Sequence, residues 1–172
     1  MADLDEPIHV VAYNPVWADL GRDLVCQVSA LLQGVPADVE HIGSTAVPGL
    51  DAKPVIDVQV GCRRADVAVV VERLRGLGFE HLGQAGVPGR EYMRRRSGWP
   101  ANVHVVESGG QLWEDNVLFR DHLTGHPDAA ERYARAKHRA AGQASHLLAY
   151  SELKARTVAE IMDDARRGRA ST

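Results

Sequence analysis

The residues best suited to chemistry fall in one run. Glu40-His41-Ile42-Gly43-Ser44-Thr45 is followed by Lys53, and then by Asp57 and Gln59 inside the β-rich stretch 54–60. A Gly43-Ser44-Thr45 turn lets backbone approach a ligand closely and adds hydroxyl and N–H donors, which suits a phosphate. Many tight turns share that composition, so the spacing has to add to it. Asp57 lies 14 residues after Gly43, among valines and isoleucines. Strand alternation puts Ile56, Val58 and Val60 on one face and Asp57 with Gln59 on the other. A carboxylate there requires a hydrogen-bond donor, a counter-charge or a metal; a solvated strand-end aspartate is the plainer alternative. Lys53 precedes the strand and is placed to neutralise either Asp57 or a bound phosphate.

Other candidates surround this run. Arginine outnumbers lysine 17 to 3. In a chain biased that way, Lys53, Lys137 and Lys154 stand out as positions that need a compact ammonium, or else are ordinary surface lysines. Tyr133 with Lys137, and Tyr150 with Lys154, are each one helical turn apart. Each pair either faces a ligand, with a base on the ring and a phosphate on the amine, or forms a core edge with snorkelling lysines. Arg94-Arg95-Arg96 alternates across a strand, as a solvated edge or a phosphate clamp. His122 and His126 have metal-ligand spacing, but Gly125 and Pro127 interrupt the helix between them. Residues 83–89 are glycine-rich without the Lys-Ser/Thr of a phosphate loop, and read as a mobile loop near the site. No nucleophile elbow, Walker loop or dinucleotide fingerprint occurs.

Positioning these residues requires a sheet and helices. Residues 8–12 read as an edge strand or extended lead-in. Asn14 and Pro15 open a helix running to about residue 33, with Trp17, Leu20, Leu24, Val28, Leu31 and Leu32 at helical spacing. Strands are expected at 39–42, 54–60, 79–82, 90–96 and 101–107, the last two as a hairpin, with a helix at 66–77. Three helices follow, at about 112–123, 127–143 and 151–167. The fold class is therefore α/β, with a mixed sheet flanked by helices in residues 8–107 and a helical C-terminal segment at about 112–167. No linker divides residues 1–172 into two domains.

Composition bounds the function. The chain has 172 residues, with 45% hydrophobic and 25% charged, enough for a core without disulfides. A net charge of −3 argues against a nucleic-acid partner. No apolar run approaches the ~20 residues of a membrane span, and the acidic start lacks a signal-peptide n-region, so the expected compartment is the cytoplasm. Cys26 and Cys62 are read as reduced core thiols.

The stretch from Glu40 to Asp57 resembles the signature of the GrpB family, a branch of the nucleotidyltransferase superfamily. The resemblance extends to Tyr13 and Trp17, Pro88-Gly89-Arg90, Asn102-Val103-His104-Val105-Val106-Glu107, Trp113, Leu118-Phe119-Arg120-Asp121-His122-Leu123, His126-Pro127, Tyr133 and Lys137, and Tyr150 with Lys154. It covers about residues 10–160 and implies a nucleotidyltransferase-like mixed sheet. It also implies a nucleotide such as ATP, or a phosphorylated or adenylated small molecule, as substrate. In the superfamily three acids hold divalent metal, usually Mg²⁺. Here Asp57 is the first of them and the implied metal ligand, Gln59 stands at the second position, and His104 occupies the strand of the third. The catalytic candidates are thus Asp57, His104 and Gln59. The substrate- and phosphate-binding candidates are His41, Gly43, Ser44, Thr45, Lys53, Arg90, Asn102, Arg120, Tyr133, Lys137 and Lys154. His104 or His41 are the acid–base candidates if the site works without metal. Three functions stay open: a nucleotidyltransferase-like enzyme with a reduced metal site, a nucleotide- or phosphometabolite-binding module, and a metal-independent lyase, cyclase or ligase on the same fold.

Overall fold

In a computed structural model describing residues 6, 8–144 and 147–170, a five-stranded sheet separates two unlike layers. In chain order the elements are α1 (Val16–Leu31), β1 (Ala37–Ile42), β2 (Ile56–Cys62), α2 (Val67–Gly76), β3 (Glu80–His81), β4 (Glu91–Arg95), β5 (Ala101–Glu107), α3 (Gln111–Gly125), α4 (Pro127–Gln143) and α5 (Leu147–Ala170). The sheet order is β1-β2-β5-β4-β3. Only β2 and β5 pair in parallel; the other neighbours are antiparallel, including the expected β4–β5 hairpin.

The apolar layer follows from period-2 alternation. Ile56, Val58 and Val60 of β2, Ala101, Val103 and Val105 of β5, and Met93 of β4 all face α1 and α2. There they bury against Trp17, Leu24, Val28, Val70 and Leu74. α1 begins at Val16 with Pro15 at the cap position expected of Asn14, and Asn14 Oδ1 accepts a hydrogen bond from the Val16 N–H at 3.1 Å just before it. Close approach sets two glycines. A Cβ on Gly21 would lie 2.1 Å from the His41 ring, and one on Gly61 would lie 2.8 Å from Trp113. These positions seat α1 on β1 and α3 on β2. Cys62 is a buried thiol as expected, but Cys26 is exposed. At 100° per residue it falls on the outer side of the helix, away from Leu24 and Val28. The lead-in 8–12 meets the rest of the chain through a single antiparallel bridge, Val11 to Ala52. The strand expected over 79–82 shortens to Glu80–His81, and the last helix begins at Leu147 rather than 151.

The other sheet face is polar. Register sets Asp57 beside Asn102, Gln59 beside His104, Tyr92 beside His104 and Arg94 beside Asn102. Helices α3, α4 and α5 stand over this face around a second apolar cluster of Val47, Leu50, Leu123, Tyr133 and Ile161. The space between them and the sheet is the candidate site. Among the described residues, no helix is long and apolar enough to cross a membrane.

Candidate functional site

A cavity of about 500 Å³ opens between the polar sheet face, the Gly43–Ala46 turn, the 83–89 loop and helices α3–α5. Asp57 lies on its floor. Asn102 Nδ2 donates to Asp57 Oδ1 at 2.8 Å, and His104 Nε2 contacts the same oxygen at 3.2 Å. The Nδ1 of His104 faces Arg90 Nη1 at 3.4 Å. A guanidinium only donates, so Nδ1 accepts, and Nε2 carries the proton that bonds Asp57. His104 is therefore a bridge between Arg90 and Asp57, with both ring nitrogens engaged. Burial alone would push the Asp57 carboxyl up; the bonds from His104 and Asn102 and the charge of Lys53 outweigh it and hold it below the usual carboxylate range.

Gly43 lines the cavity and also packs against the aspartate. Its φ is +73°, and a Cβ there would lie 3.0 Å from Asp57 Oδ2. The glycine thus makes room for the aspartate itself. Behind it, Ser44 Oγ accepts a hydrogen bond from Lys137 Nζ at 3.0 Å, and Lys137 also donates to the Asp51 carbonyl. Lys137 is 1% exposed, with its ammonium 4.6 Å from the centre of the Tyr133 ring. Burial, with the charge of Lys154 adding to it against Asp51, pushes this lysine down from 10.5 to about 7. Lys154 Nζ lies 4.7 Å from the Tyr150 ring centre and 3.5 Å from the Tyr133 hydroxyl. Burial also lowers Lys53, helped by Arg96 and Lys154 and opposed by Glu6 and Asp57.

The cavity brings together ten of the sequence-predicted residues: Gly43, Ser44, Thr45, Lys53, Asp57, Arg90, Asn102, His104, Lys137 and Lys154. Four others lie behind the lining. Gln59 is fully buried, its Oε1 accepting from Asn116 Nδ2 at 2.9 Å. His41 packs on Gly21 and meets Thr45 Oγ1 at 3.0 Å, bracing the turn from outside. Arg120 is spent on Glu40 at 2.7 Å, the His41 carbonyl at 3.0 Å and Asp121, tying α3 to β1. Tyr133 underlies the two lysines and packs edge-on against Phe119. The lining also includes Arg96, from the arginine run weighed as a solvated edge or a phosphate clamp, and Glu6, Tyr92 and Asn116, which sequence reasoning did not single out. Alternation from Arg90 places Tyr92 on the same face as Arg94 and Arg96, which was the available signal for Tyr92. Asn116 lies one helical turn before Arg120, whereas no local pattern points to Glu6. The 83–89 loop lines the cavity with Ala85, Gly86 and Val87, and Arg90 Nη2 holds it through the carbonyls of Gln84 and Ala85 at 3.2 and 3.0 Å.

The donor set does not fit the superfamily's divalent-metal site. Asp57 is its single acid, and the oxygen it presents to Asn102 and His104 faces two N–H donors. The second position is an amide covered by another amide. Among the described residues, no three His, Cys, Asp or Glu side chains converge to hold a metal ion. The charge balance points to an anion instead. Lys53, Arg90, Arg96, Lys137 and Lys154 line the cavity against Glu6 and Asp57, in a chain whose net charge is −3.

A mixed sheet in this order, flanked by helices, is an α/β architecture with the nucleotidyltransferase-like fold. A solved cytoplasmic RNA terminal U-transferase shares the fold, with a TM-score of 0.55 and 18% identity over 76% of this chain and 40% of that one. The family model described as GrpB protein matches residues 7–164, and the chain belongs to the GrpB family. The crystal structure of the conserved protein GrpB from Enterococcus faecalis superposes with a TM-score of 0.83 and 27% identity, covering 94% of this chain and 99% of that one. UPF0157 protein YqkA of Bacillus subtilis is 30% identical over 138 residues, 79% of this chain; the chain spans 40% of that relative's length.

Proposed function

We propose that the protein is a nucleotidyltransferase-like enzyme that acts on a nucleotide or a phosphorylated small molecule bound in this cavity. The observation that carries the reading is the placing of Lys137 and Lys154 beside Ser44, with Arg90 opposite, around a hydrogen-bonded aspartate in one cavity. Phosphate oxygens lie against Ser44, Lys137 and Lys154, where ammonium groups shielded from water attract an anion more strongly than exposed ones do. Arg90 closes the other side and, by holding the 83–89 loop, excludes water from the ligand. Asp57, kept ionised, accepts a hydrogen bond from the attacking group and orients it. His104 and Asn102 fix the carboxylate for that task. Each of these roles belongs to the chain's own residues, and none requires a protein-held metal. A nucleotide ligand and two free thiols suit the cytoplasm.

The test is calorimetric titration of ATP, of the other ribonucleoside triphosphates and of tripolyphosphate, each with Mg²⁺ and with EDTA, followed by product analysis. Binding that survives EDTA and disappears in Lys137→Ala supports the cation clamp. Binding that requires Mg²⁺ overturns the metal-free arrangement. No binding under either condition overturns the nucleotide reading itself.

A further inference from the structure

Not all of the cavity's cations serve a phosphate. At its edge, Arg96, Arg94 and Lys53 converge on the carboxylate of Glu6. Arg96 grips it as a fork, Nε to Oε1 at 2.6 Å and Nη2 to Oε2 at 2.9 Å. Arg94 Nη1 adds a bond to Oε1 at 3.3 Å, and Lys53 Nζ stands 4.0 Å from Oε2. The side chains are 31%, 15%, 20% and 19% exposed for Arg96, Arg94, Lys53 and Glu6, so this cluster is sheltered from solvent. Burial raises the Glu6 carboxyl, and Arg96, Lys53 and Arg94 together more than reverse it. Arg94 also pairs with Glu80 at 2.9 Å.

Two features distinguish this cluster from a surface clasp. A planar fork of two parallel N–H bonds matches a carboxylate in shape and charge. The fork is also connected to the cavity floor: Arg96 Nη2 donates to Asn102 Oδ1 at 3.1 Å, and Asn102 Nδ2 donates to Asp57 Oδ1 at 2.8 Å. A carboxylate held at the Glu6 position is one amide away from Asp57.

We infer that Arg96, Arg94 and Lys53 form a carboxylate subsite within this cavity, that Glu6 is an internal occupant of it, and that the second substrate is a small molecule carrying a carboxylate. The inference rests on the reading of the cavity as a nucleotide or phosphate site, and it adds the class of the acceptor. Ser44, Lys137 and Lys154 take the phosphate, and the arginine fork, joined to Asp57 through Asn102, takes the acid. Glu6 and an incoming carboxylate compete, so the wild type binds such a ligand with its affinity reduced by the fraction of time the subsite is open.

Titration calorimetry of succinate, inorganic phosphate and tripolyphosphate against the wild type, Glu6→Gln and the double variant Glu6→Gln/Arg96→Ala tests this. Removing the internal competitor is expected to tighten succinate binding about tenfold, and removing Arg96 to abolish it. Tripolyphosphate, placed on Ser44, Lys137 and Lys154, is expected still to bind all three proteins, tightening somewhat when the Glu6 charge leaves and returning toward the wild-type value when Arg96 is also removed. Succinate binding that ignores both substitutions, while tripolyphosphate still binds, overturns the subsite and leaves the nucleotide reading standing. Failure of tripolyphosphate to bind the wild type overturns that reading instead. Inorganic phosphate outcompeting succinate in Glu6→Gln overturns the carboxylate assignment. If Glu6→Gln does not fold, the Arg96 Nε–H resonance of the wild type still decides the matter: it shifts on saturation with succinate if the subsite exists and stays fixed if it does not.

Discussion

Replacing Lys137 by methionine should stabilise the protein while removing its phosphate binding. The ammonium is 1% exposed, and burial with the charge of Lys154 displaces it from 10.5 to about 7. At pH 7 the unfolded chain binds this proton far more tightly than the folded one does, a difference worth about 4 kcal/mol against folding. Methionine keeps the length and most of the packing. It loses the bonds to Ser44 and to the Asp51 carbonyl, roughly 1 kcal/mol each. The net gain at pH 7 is about 2 kcal/mol, or a rise of about 4–8 °C in Tm for a chain of this size. The pH dependence has a definite sign. Between about 7 and 10.5 the unfolded chain holds a proton that the folded chain has released, so wild-type stability rises with pH and the advantage of Lys137→Met shrinks. By pH 9 the ionisation penalty falls to about 2 kcal/mol, and the two proteins should melt together. Differential scanning calorimetry at pH 6, 7, 8 and 9 measures this directly. A variant that melts below the wild type at every pH, or by a margin independent of pH, refutes the reasoning, since the ammonium would then carry no burial penalty.

Three further outcomes are expected. Gly43→Ala puts a Cβ 3.0 Å from Asp57 Oδ2 at φ +73° and ψ −170°, a backbone region essentially open only to glycine; it should cost about 1–3 kcal/mol in urea unfolding, and an unchanged midpoint contradicts it. Asp57→Asn should remain folded, bind tripolyphosphate at least as tightly as the wild type because a negative charge has left the cavity, and lose nucleotide turnover; full turnover removes Asp57 from the chemistry. Because the Asp57 carboxyl is held low in the fold, the stability it contributes is present above the ordinary carboxylate range and lost as pH falls through its folded value, so acid unfolding of Asp57→Asn should lack that component. Gly61→Ala drives a Cβ to 2.8 Å from Trp113; it should cost about 1–3 kcal/mol by displacing α3, and a neutral effect shows that α3 is not seated there.

Much of the architecture was legible from local chemistry. Alternation in 54–60 identified the core face of that strand, and helical spacing from Trp17 to Leu32 identified the buried side of α1, because burial repeats at the period of the backbone. The same rule put Asp57 with Gln59; that Asn102 and His104 share their face of the sheet follows from the register of β2 with β5. Periodicity failed where a position within the period was not tested. Cys26 lies between two buried residues of a helix, and is exposed for that reason.

The candidate site divides along the same line. Residue type and alternation by themselves determined which side chains have chemistry to offer, and that Asp57 and Gln59 share a strand face opposite the apolar one. Only the tertiary structure decided which of them meet. Gln59 points the same way as Asp57, yet Asn116 of α3 covers it; His41 and Arg120 belong to the matching stretches, yet each is engaged outside the cavity. Lys137 reaches Ser44 across 93 positions of chain, and Arg96 reaches Glu6 across 90. Such contacts have no local signature, because they depend on how helices close over a sheet rather than on the period of any one element. The burial that lowers Lys137 toward neutrality comes from that closure as well.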